Sequence, residues 1–135
     1  MITEVVAALL IKDGRFLICQ RPETKKRAFL WEFVGGKVEQ NETKEDALKR
    51  ECLEELDMEI SVLGDYTEVT YAYSDLTVHL TVFLAEMKSG TYKLLEHRDA
   101  KWITPDEIGN YVFCDADKSI LEKIKKDFKT ERKEY

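Results

Sequence analysis

The chain has 135 residues, of which 44% are hydrophobic and 36% are charged, with six glycines and two prolines. This composition is typical of one globular domain and excludes a disordered or low-complexity chain. The formal net charge of -6 argues against binding to a nucleic acid polymer, because an acidic surface repels a polyanion. A small phosphate ligand can still bind where a metal ion or a basic cluster reverses the local charge.

The sequence also carries information on membrane contact and on the redox state of its cysteines. No apolar run approaches the ~20 residues that cross a bilayer, and the N-terminus lacks a secretory signal, so we expect no membrane contact. The three cysteines, Cys19, Cys52 and Cys114, are odd in number and widely spaced. They indicate reduced thiols and a cytoplasmic location rather than a disulfide framework.

The first 40 residues predict a strand pair followed by a loop. Residues 4–11 form a nearly continuous apolar run, as expected for a strand that is covered on both faces. Asp13-Gly14 is a hairpin signal, and residues 15–20 return as the second strand. A basic, turn-rich loop then covers residues 21–30. An extended segment, residues 31–34, is expected to end at Gly35-Gly36.

A helix is predicted from the Thr43 N-cap to about Leu56, with the core on one side. Leu48, Cys52 and Leu56 fall at i, i+4 and i+8 and should face that core. The later elements are strands at residues 59–63, 66–73, 77–87 and 101–103, a short helix from Pro105 and a final helix at residues 118–129. We expect one domain over residues 1–130, followed by a charged tail at residues 131–135.

Three glutamates crowd the C-terminal half of the predicted helix. Glu51, Glu54 and Glu55 stand at i, i+3 and i+4, which places them on one face. Like charges at these separations cost about 0.2–0.5 kcal/mol per pair, and the helix dipole favours cations at this end. A solvated acidic face is one explanation. A divalent cation such as Mg²⁺, which prefers oxygen ligands, would relieve both penalties.

The surrounding segment, GKVEQNETKEDALKRECLEELDM at residues 36–58, decides between these explanations. It resembles the Nudix box, with its fixed side chains at Gly36, Glu42, Arg50, Glu51, Glu54 and Glu55. The chain departs from that pattern at Asp57, where the family usually has glycine. Aspartate tolerates the left-handed conformation that follows a helix, so we expect only a small loss of stability.

The resemblance implies an α/β Nudix fold, with a mixed sheet sandwiched between helices. It implies a Mg²⁺ site, with Mn²⁺ able to substitute, whose ligands are Gly35 through its carbonyl, Glu51, Glu54, Glu55 and Glu96. Glu42 and Arg50 would organise the site. The implied chemistry is attack of a metal-activated water on a phosphorus of a diphosphate linkage.

The resemblance extends along residues 5–20, residues 31–37 and the C-terminal third to the MutT-like branch, which hydrolyses nucleoside triphosphates to monophosphate and pyrophosphate. Glu96 matches a loop glutamate that serves there as a metal ligand or general base, although an ordinary surface acid is the alternative. Arg21 matches a residue that contacts substrate phosphates, and Lys37 could reach a phosphate too. Both could equally be solvated cations.

Two residues are candidates for contacting the base. Tyr73 could stack on it, although a tyrosine in a sheet more often serves packing. Asp117 matches the position that recognises the base edge in MutT-like enzymes, and a carboxylate there accepts hydrogen bonds, for example from the cytosine amine. The chain therefore resembles most the subgroup that hydrolyses CTP and modified dCTP. Asp117 is also well placed to cap the last helix.

Three functions follow from the resemblance. The first is housecleaning hydrolysis of nucleoside triphosphates, of the CTP or dCTP type or of 8-oxo-dGTP. The second is hydrolysis of another nucleoside diphosphate derivative, such as ADP-ribose or a dinucleoside polyphosphate. The third is a non-catalytic module that senses nucleotides, although such modules would be expected to lose acids of the box. The expected partner is a small-molecule nucleotide, and the protein is expected to be a monomer or a homodimer.

Overall fold

The computed structural model describes residues 1–128. The strands are β1 (Ile2–Lys12), β2 (Arg15–Gln20), β3 (Trp31–Glu32), β4 (Gly35–Lys37), β5 (Ile60–Ala72), β6 (Thr77–Met87) and β7 (Asp99–Ile103). The α-helices are α1 (Lys44–Leu56) and α2 (Lys118–Asp127), and short 3₁₀ helices cover Pro105–Asn110 and Asp115–Asp117. The predicted end of the last helix at Lys129 and the tail at residues 131–135 lie outside the described residues.

The sheet is mixed and is organised around β1. Its strand order is β3-β2-β1-β6-β5, with β4 paired to β1 and β7 paired to β2. β1 runs parallel to β6 and antiparallel to β2 and β4. This arrangement confirms the predicted mixed sheet.

One helix packs on each face of the sheet, which explains the continuous apolar run in β1. Alternate residues of β1, Val6 and Leu10, join one buried cluster with Leu48 of α1. Leu9 points to the opposite face and joins a second cluster with Ile124 of α2. Since successive side chains of a strand point to opposite faces, every position of a strand that is buried on both faces is apolar. The predicted sandwich is confirmed.

The predicted turns and boundaries are mostly confirmed. Asp13 and Gly14 both have positive φ, 51° and 76°, as a two-residue type I′ hairpin requires. Two predictions were wrong. The segment at residues 31–34 is a strand only over Trp31–Glu32, and Gly35-Gly36 begin a new strand, β4, rather than a break. The two strands predicted at residues 59–63 and 66–73 are one strand, Ile60–Ala72. The register shifts around Gly64 show that β5 accommodates this turn-like residue by an irregularity and continues.

Both ends of α1 are capped as the sequence predicts. The Thr43 side chain accepts a hydrogen bond of 3.1 Å from the backbone N–H of Asp46. Asp57 adopts the left-handed conformation, with φ 50° and ψ 42°, and its N–H donates to the carbonyls of Cys52 and Leu53. Aspartate therefore does take the place of the usual glycine here. Within residues 1–128, no helix is long and apolar enough to cross a membrane.

Candidate active site

The glycines of β4 bring a strand backbone into direct contact with α1. A β carbon on Gly35 would overlap the carbonyl oxygen of Val6 in β1. A β carbon on Gly36 would overlap the carboxyl group of Glu51. Gly35 therefore needs glycine because the β1 backbone leaves no room for a side chain, and Gly36 leaves room for the Glu51 carboxyl group in its present position. The close approach places the glutamates of α1 beside the β4 backbone.

The three glutamates of α1 have different surroundings, although they share one helix face. The Glu55 residue is only 5% exposed, and the side chain of Glu51 is 14% exposed. Both line a cavity with a volume of about 530 Å³. The Glu54 side chain is 53% exposed and is not part of the cavity wall. The structure thus brings Glu51 and Glu55 together and leaves Glu54 at the edge.

Arg50 connects the acidic groups of the box. It forms a two-pronged ion pair with Glu42, with distances of 2.7 and 3.0 Å, and donates a 3.0 Å hydrogen bond to the Lys37 carbonyl. The same guanidinium lies 2.6 Å from Glu51 and 3.1 Å from Glu54. The hydrogen bonds from Arg50 lower the pKa of Glu42. These contacts fit the organising role predicted for Arg50 and Glu42.

The cavity floor concentrates negative charge in a place that water reaches poorly. Burial, followed by the charges of Glu32, Glu51 and Glu96, raises the pKa of Glu55 to about 9. Burial also raises the pKa of Glu51. Glu96, on the loop before β7, lines the same cavity. Such mutual repulsion between carboxyl groups is relieved by a bound cation.

The donor set is suitable for a hard divalent cation, although the ligands do not yet converge. Carboxylate and carbonyl oxygens are the ligands that Mg²⁺ prefers, and Glu51, Glu55, Glu96 and Gly35 all line one cavity. Within residues 1–128, no three His, Cys, Asp or Glu side chains are arranged closely enough to hold a metal ion. Arg50 accounts for part of this, because it holds Glu51 and Glu54 in ion pairs.

Basic residues line the same cavity as the glutamates. Arg21 lines the wall and forms a 2.8 Å ion pair with Glu32, which also lies 3.0 Å from Nε2 of the buried His97. Lys25 approaches Glu96 at 3.8 Å. Lys37 is exposed at the rim. The cavity of this acidic protein therefore has the local basic cluster that an anionic ligand requires.

Tyr73 and Asp117 also line the cavity, and the part around them is called the Asp117 end. The Tyr73 hydroxyl accepts a 2.9 Å hydrogen bond from the N–H of Ala116. Asp117 is buried, it lines the cavity, and it makes no side-chain capping bond to α2. Asp117 therefore stands at the predicted N-cap position of α2 without a capping hydrogen bond from its side chain. Burial, with a contribution from Glu32, raises the pKa of its carboxyl group well above its usual range.

Several cavity residues have no role predicted from the sequence. They are Lys25, Arg27, Glu32, Phe33 and Cys114. A signal existed for two of them, because the sequence marks residues 21–30 as a basic loop. Only the fold shows that this loop borders the same cavity as α1, 20 to 30 residues further along the chain. No sequence signal distinguishes Glu32 from an ordinary acid in a short strand.

Comparison with known proteins agrees with this geometry. The family model described as "NUDIX domain" matches residues 5–123. The chain therefore belongs to the Nudix domain family, and the predicted resemblance is confirmed.

Individual relatives extend the match over most of the chain. CTP pyrophosphohydrolase of Escherichia coli (strain K12) is 40% identical over 120 residues, which cover 88% of each chain. The 8-oxo-dGTP diphosphatase of Buchnera aphidicola subsp. Schizaphis graminum is 29% identical over 124 residues, or 92% of this chain and 94% of that protein. The crystal structure of the MutT protein from Methanosarcina mazei Go1 has the same fold. Its TM-score is 0.85 at 23% identity, covering 95% of this chain and 96% of that one.

Proposed function

We propose that this protein hydrolyses nucleoside triphosphates, canonical or modified, to a nucleoside monophosphate and pyrophosphate, with Mg²⁺ as cofactor and Mn²⁺ able to substitute. The observation that carries the proposal is one cavity whose lining combines carboxyl groups with cations. Glu51, Glu55 and Glu96 line it together with Arg21 and Lys25. A nucleotide with its metal ion requires both signs of charge.

The ligands of the cation would be Glu51, Glu54, Glu55 and Glu96 with the Gly35 carbonyl. When bound, Mg²⁺ would supply Lewis-acid activation of water and neutralise phosphate charge. Only one Glu54 oxygen, Oε2, is bonded to Arg50, at 3.1 Å, so the other oxygen is available to the cation. Arg50 and Glu42 act as positioning residues, since their ion pair fixes the loop before α1 and orients Glu51.

Substrate contacts are assigned to basic residues of the cavity and to Asp117. Arg21 and Lys37 contact the phosphate chain. Asp117 accepts hydrogen bonds from the base edge, which favours a base with an exocyclic amine, such as cytosine. Its position in the cavity lining, buried and without a capping bond to α2, supports this role. The name of the CTP pyrophosphohydrolase relative supports the same choice.

Tyr73 is reassigned from base stacking to support of the turn before α2. Its hydroxyl group is bonded to Ala116, and its ring lies 4.8 Å from that of Tyr71. These contacts tie β5 to the segment that carries Asp117. We place the enzyme in the cytoplasm, a location that the three free, buried cysteines support.

A substrate panel tests the proposal. The protein is incubated with Mg²⁺ and CTP, dCTP, 5-methyl-dCTP, 8-oxo-dGTP, ADP-ribose or a dinucleoside polyphosphate, and released pyrophosphate and monophosphate are measured. We expect turnover of at least one triphosphate, with pyrophosphate as product, and loss of turnover with EDTA. Turnover of ADP-ribose alone would overturn the triphosphate assignment. Binding of nucleotides without any turnover would instead support a sensor.

A further inference from the structure

Arg27 is held at the cavity wall by two neighbours from the hairpin between β5 and β6. Its guanidinium carbon lies 4.2 Å from the centre of the Tyr73 ring. Its Nη1 lies 3.0 Å from Oδ1 of Asp75. Arg27 lines the cavity, whereas Asp75 does not. The aspartate therefore holds the arginine from outside the site.

The arginine covers the aromatic surface at the Asp117 end of the cavity. The guanidinium lies over Tyr73, and Tyr71 contacts the same ring at 4.8 Å between centroids. Because the Tyr73 hydroxyl is bonded to Ala116, the residue before Asp117, this stack lies beside the segment that carries Asp117. The flat group that a ligand meets here is thus the guanidinium of Arg27, whose side chain is 24% exposed.

The backbone of the loop is fixed in a conformation that presents this side chain. Arg27 has φ 57° and Phe29 has φ 66°, a region that non-glycine residues rarely adopt. Two backbone hydrogen bonds close the loop, from Arg21 N–H to Leu30 O at 2.9 Å and from Phe29 N–H to Arg21 O at 3.0 Å. Residues in such conformations persist where their surroundings determine them, and they are frequent in ligand clamps.

We infer that Arg27 is a substrate-binding residue whose guanidinium stacks on the nucleobase, and that Asp75 is the positioning residue that holds it flat. Guanidinium groups are planar and stack on aromatic rings, so one face can rest on Tyr73 while the other meets a base. The inference rests on the proposed function in that the ligand is a nucleotide. It adds a residue that stacks on the face of the base to the contact with the base edge that is assigned to Asp117.

The alternative is that Arg27 contacts phosphate through its charge. The two roles differ in what lysine can replace. A lysine keeps the charge but has no planar group to stack, so it would restore phosphate binding and not base stacking. They also differ in ligand dependence, because tripolyphosphate has the phosphate chain without a base.

The variants follow from the geometry. Arg27→Gly removes the side chain and suits the positive φ, so the loop keeps its conformation. Arg27→Lys keeps the charge, and Asp75→Asn weakens the ion pair. Lys26→Ala is the matched control, because Lys26 also approaches Asp75, at 3.5 Å, but is 74% exposed and lies outside the cavity wall. A double variant of Arg27→Gly with Asp75→Asn tests whether the aspartate acts through the arginine.

Two measurements separate the roles. The first is the calorimetric affinity for the monophosphate product of the best substrate, or for CMP if no substrate is turned over. The second is the binding of tripolyphosphate, or its inhibition of the enzyme. Arg27→Gly is expected to weaken monophosphate binding about tenfold, and tripolyphosphate binding by less than about twofold. Arg27→Lys should not restore the loss, Lys26→Ala should match the wild type, and Asp75→Asn should have no further effect in the Arg27→Gly background. In active protein, KM should rise while kcat changes little.

Three results would overturn the inference: unchanged monophosphate affinity in Arg27→Gly, equal losses for both ligands, or full rescue by lysine. Failure of the wild type to bind any monophosphate would overturn it too. Failure of the proposed function looks different. In that case the wild type hydrolyses no triphosphate, while the affinities of the variants still decide whether Arg27 contacts a base.

Discussion

A β carbon on residue 36 would overlap the carboxyl group of Glu51, so this carboxyl group can keep its position against β4 only because residue 36 is glycine. This contact sets the position of the proposed metal ligand relative to the β4 backbone. It gives the first glycine of the Nudix box a steric reason that is independent of any sequence comparison.

Gly36→Ala should therefore displace Glu51 and lower kcat/KM by at least about tenfold, with weaker Mg²⁺ dependence, because positioning errors of about 1 Å are costly in catalysis. Gly90→Ala is the control, since a β carbon there would meet no atom within 4 Å. Steady-state kinetics across a Mg²⁺ titration provide the measurement. Equal behaviour of the two variants would contradict the steric role.

Glu54→Gln is expected to reduce turnover at least about a hundredfold without unfolding the chain. Its side chain is 53% exposed and bonds only Arg50 among residues 1–128, so the fold does not depend on it. Circular dichroism and thermal melting check the fold, and pyrophosphate release checks activity. Glu45→Gln, an exposed acid in the first turn of the same helix, is the control. Near-wild-type turnover would remove Glu54 from the ligand set.

Glu55→Gln is expected to stabilise the metal-free protein at neutral pH while abolishing activity. The pKa of Glu55 is raised from 4.5 to about 9 by burial and by neighbouring carboxyl groups. A raised carboxyl pKa means that the folded state holds the proton more tightly than the unfolded state. The contribution of Glu55 to stability is therefore fully present below pH 4.5 and is lost as pH rises towards 9. Glutamine avoids this loss, which we estimate at roughly 1–3 kcal/mol at pH 7.

Urea unfolding in EDTA at pH 4 and pH 7 measures this effect. The difference between Glu55→Gln and the wild type should be large at pH 7 and small at pH 4. Addition of Mg²⁺ should stabilise the wild type and not the variant, because a ligand that binds only the folded state raises its stability. A variant that is less stable than the wild type at both pH values would show that the Glu55 carboxyl group has a structural role.

Asp117→Asn should change the base preference more than the catalytic rate. The substitution keeps the size of the side chain and replaces one acceptor oxygen by a donor. Because Asp117 makes no capping bond, the melting temperature should not fall. The ratio of kcat/KM for CTP to that for 8-oxo-dGTP is the measurement, with melting as the control. Equal losses for all bases together with a lower melting temperature would indicate a capping role instead.

His79, which does not line the cavity, should give the protein a pH-dependent contribution to stability. Its two ring nitrogens lie 2.7 Å from Glu4 and 2.7 Å from Glu68. These hydrogen bonds raise the pKa of His79 above 6.5, with that to Glu4 contributing most. The contribution is therefore fully present below pH 6.5 and is lost as pH rises through the folded pKa.

Urea unfolding of His79→Gln and wild type compares the two at pH 5.5 and pH 9. We expect the variant to be less stable than the wild type by about 0.5–1 kcal/mol at pH 5.5, a range typical of exposed ion pairs. At pH 9 the two proteins should be equally stable. A difference that is independent of pH would show that the ring acts through packing alone.

The sequence was sufficient to predict what depends on local spacing. Helix α1, its Thr43 cap and the left-handed Asp57 follow from residues within a few positions of one another. The apolar run of β1 predicts burial on both faces, because no polar residue interrupts it. The Nudix box is equally local, which is why the family could be recognised from 23 residues.

Two properties required the tertiary structure. Spacing places Glu54 and Glu55 on one helix face, but the position of β4 and the cavity decides that Glu55 is buried while Glu54 is exposed. Likewise, the sequence marks Arg27 only as one cation in a basic loop. Its stack on Tyr73 joins residues 46 positions apart. Local sequence determines backbone conformation and hydrophobic faces, whereas desolvation and long-range contacts, which set pKa values and binding surfaces, exist only after the chain has folded.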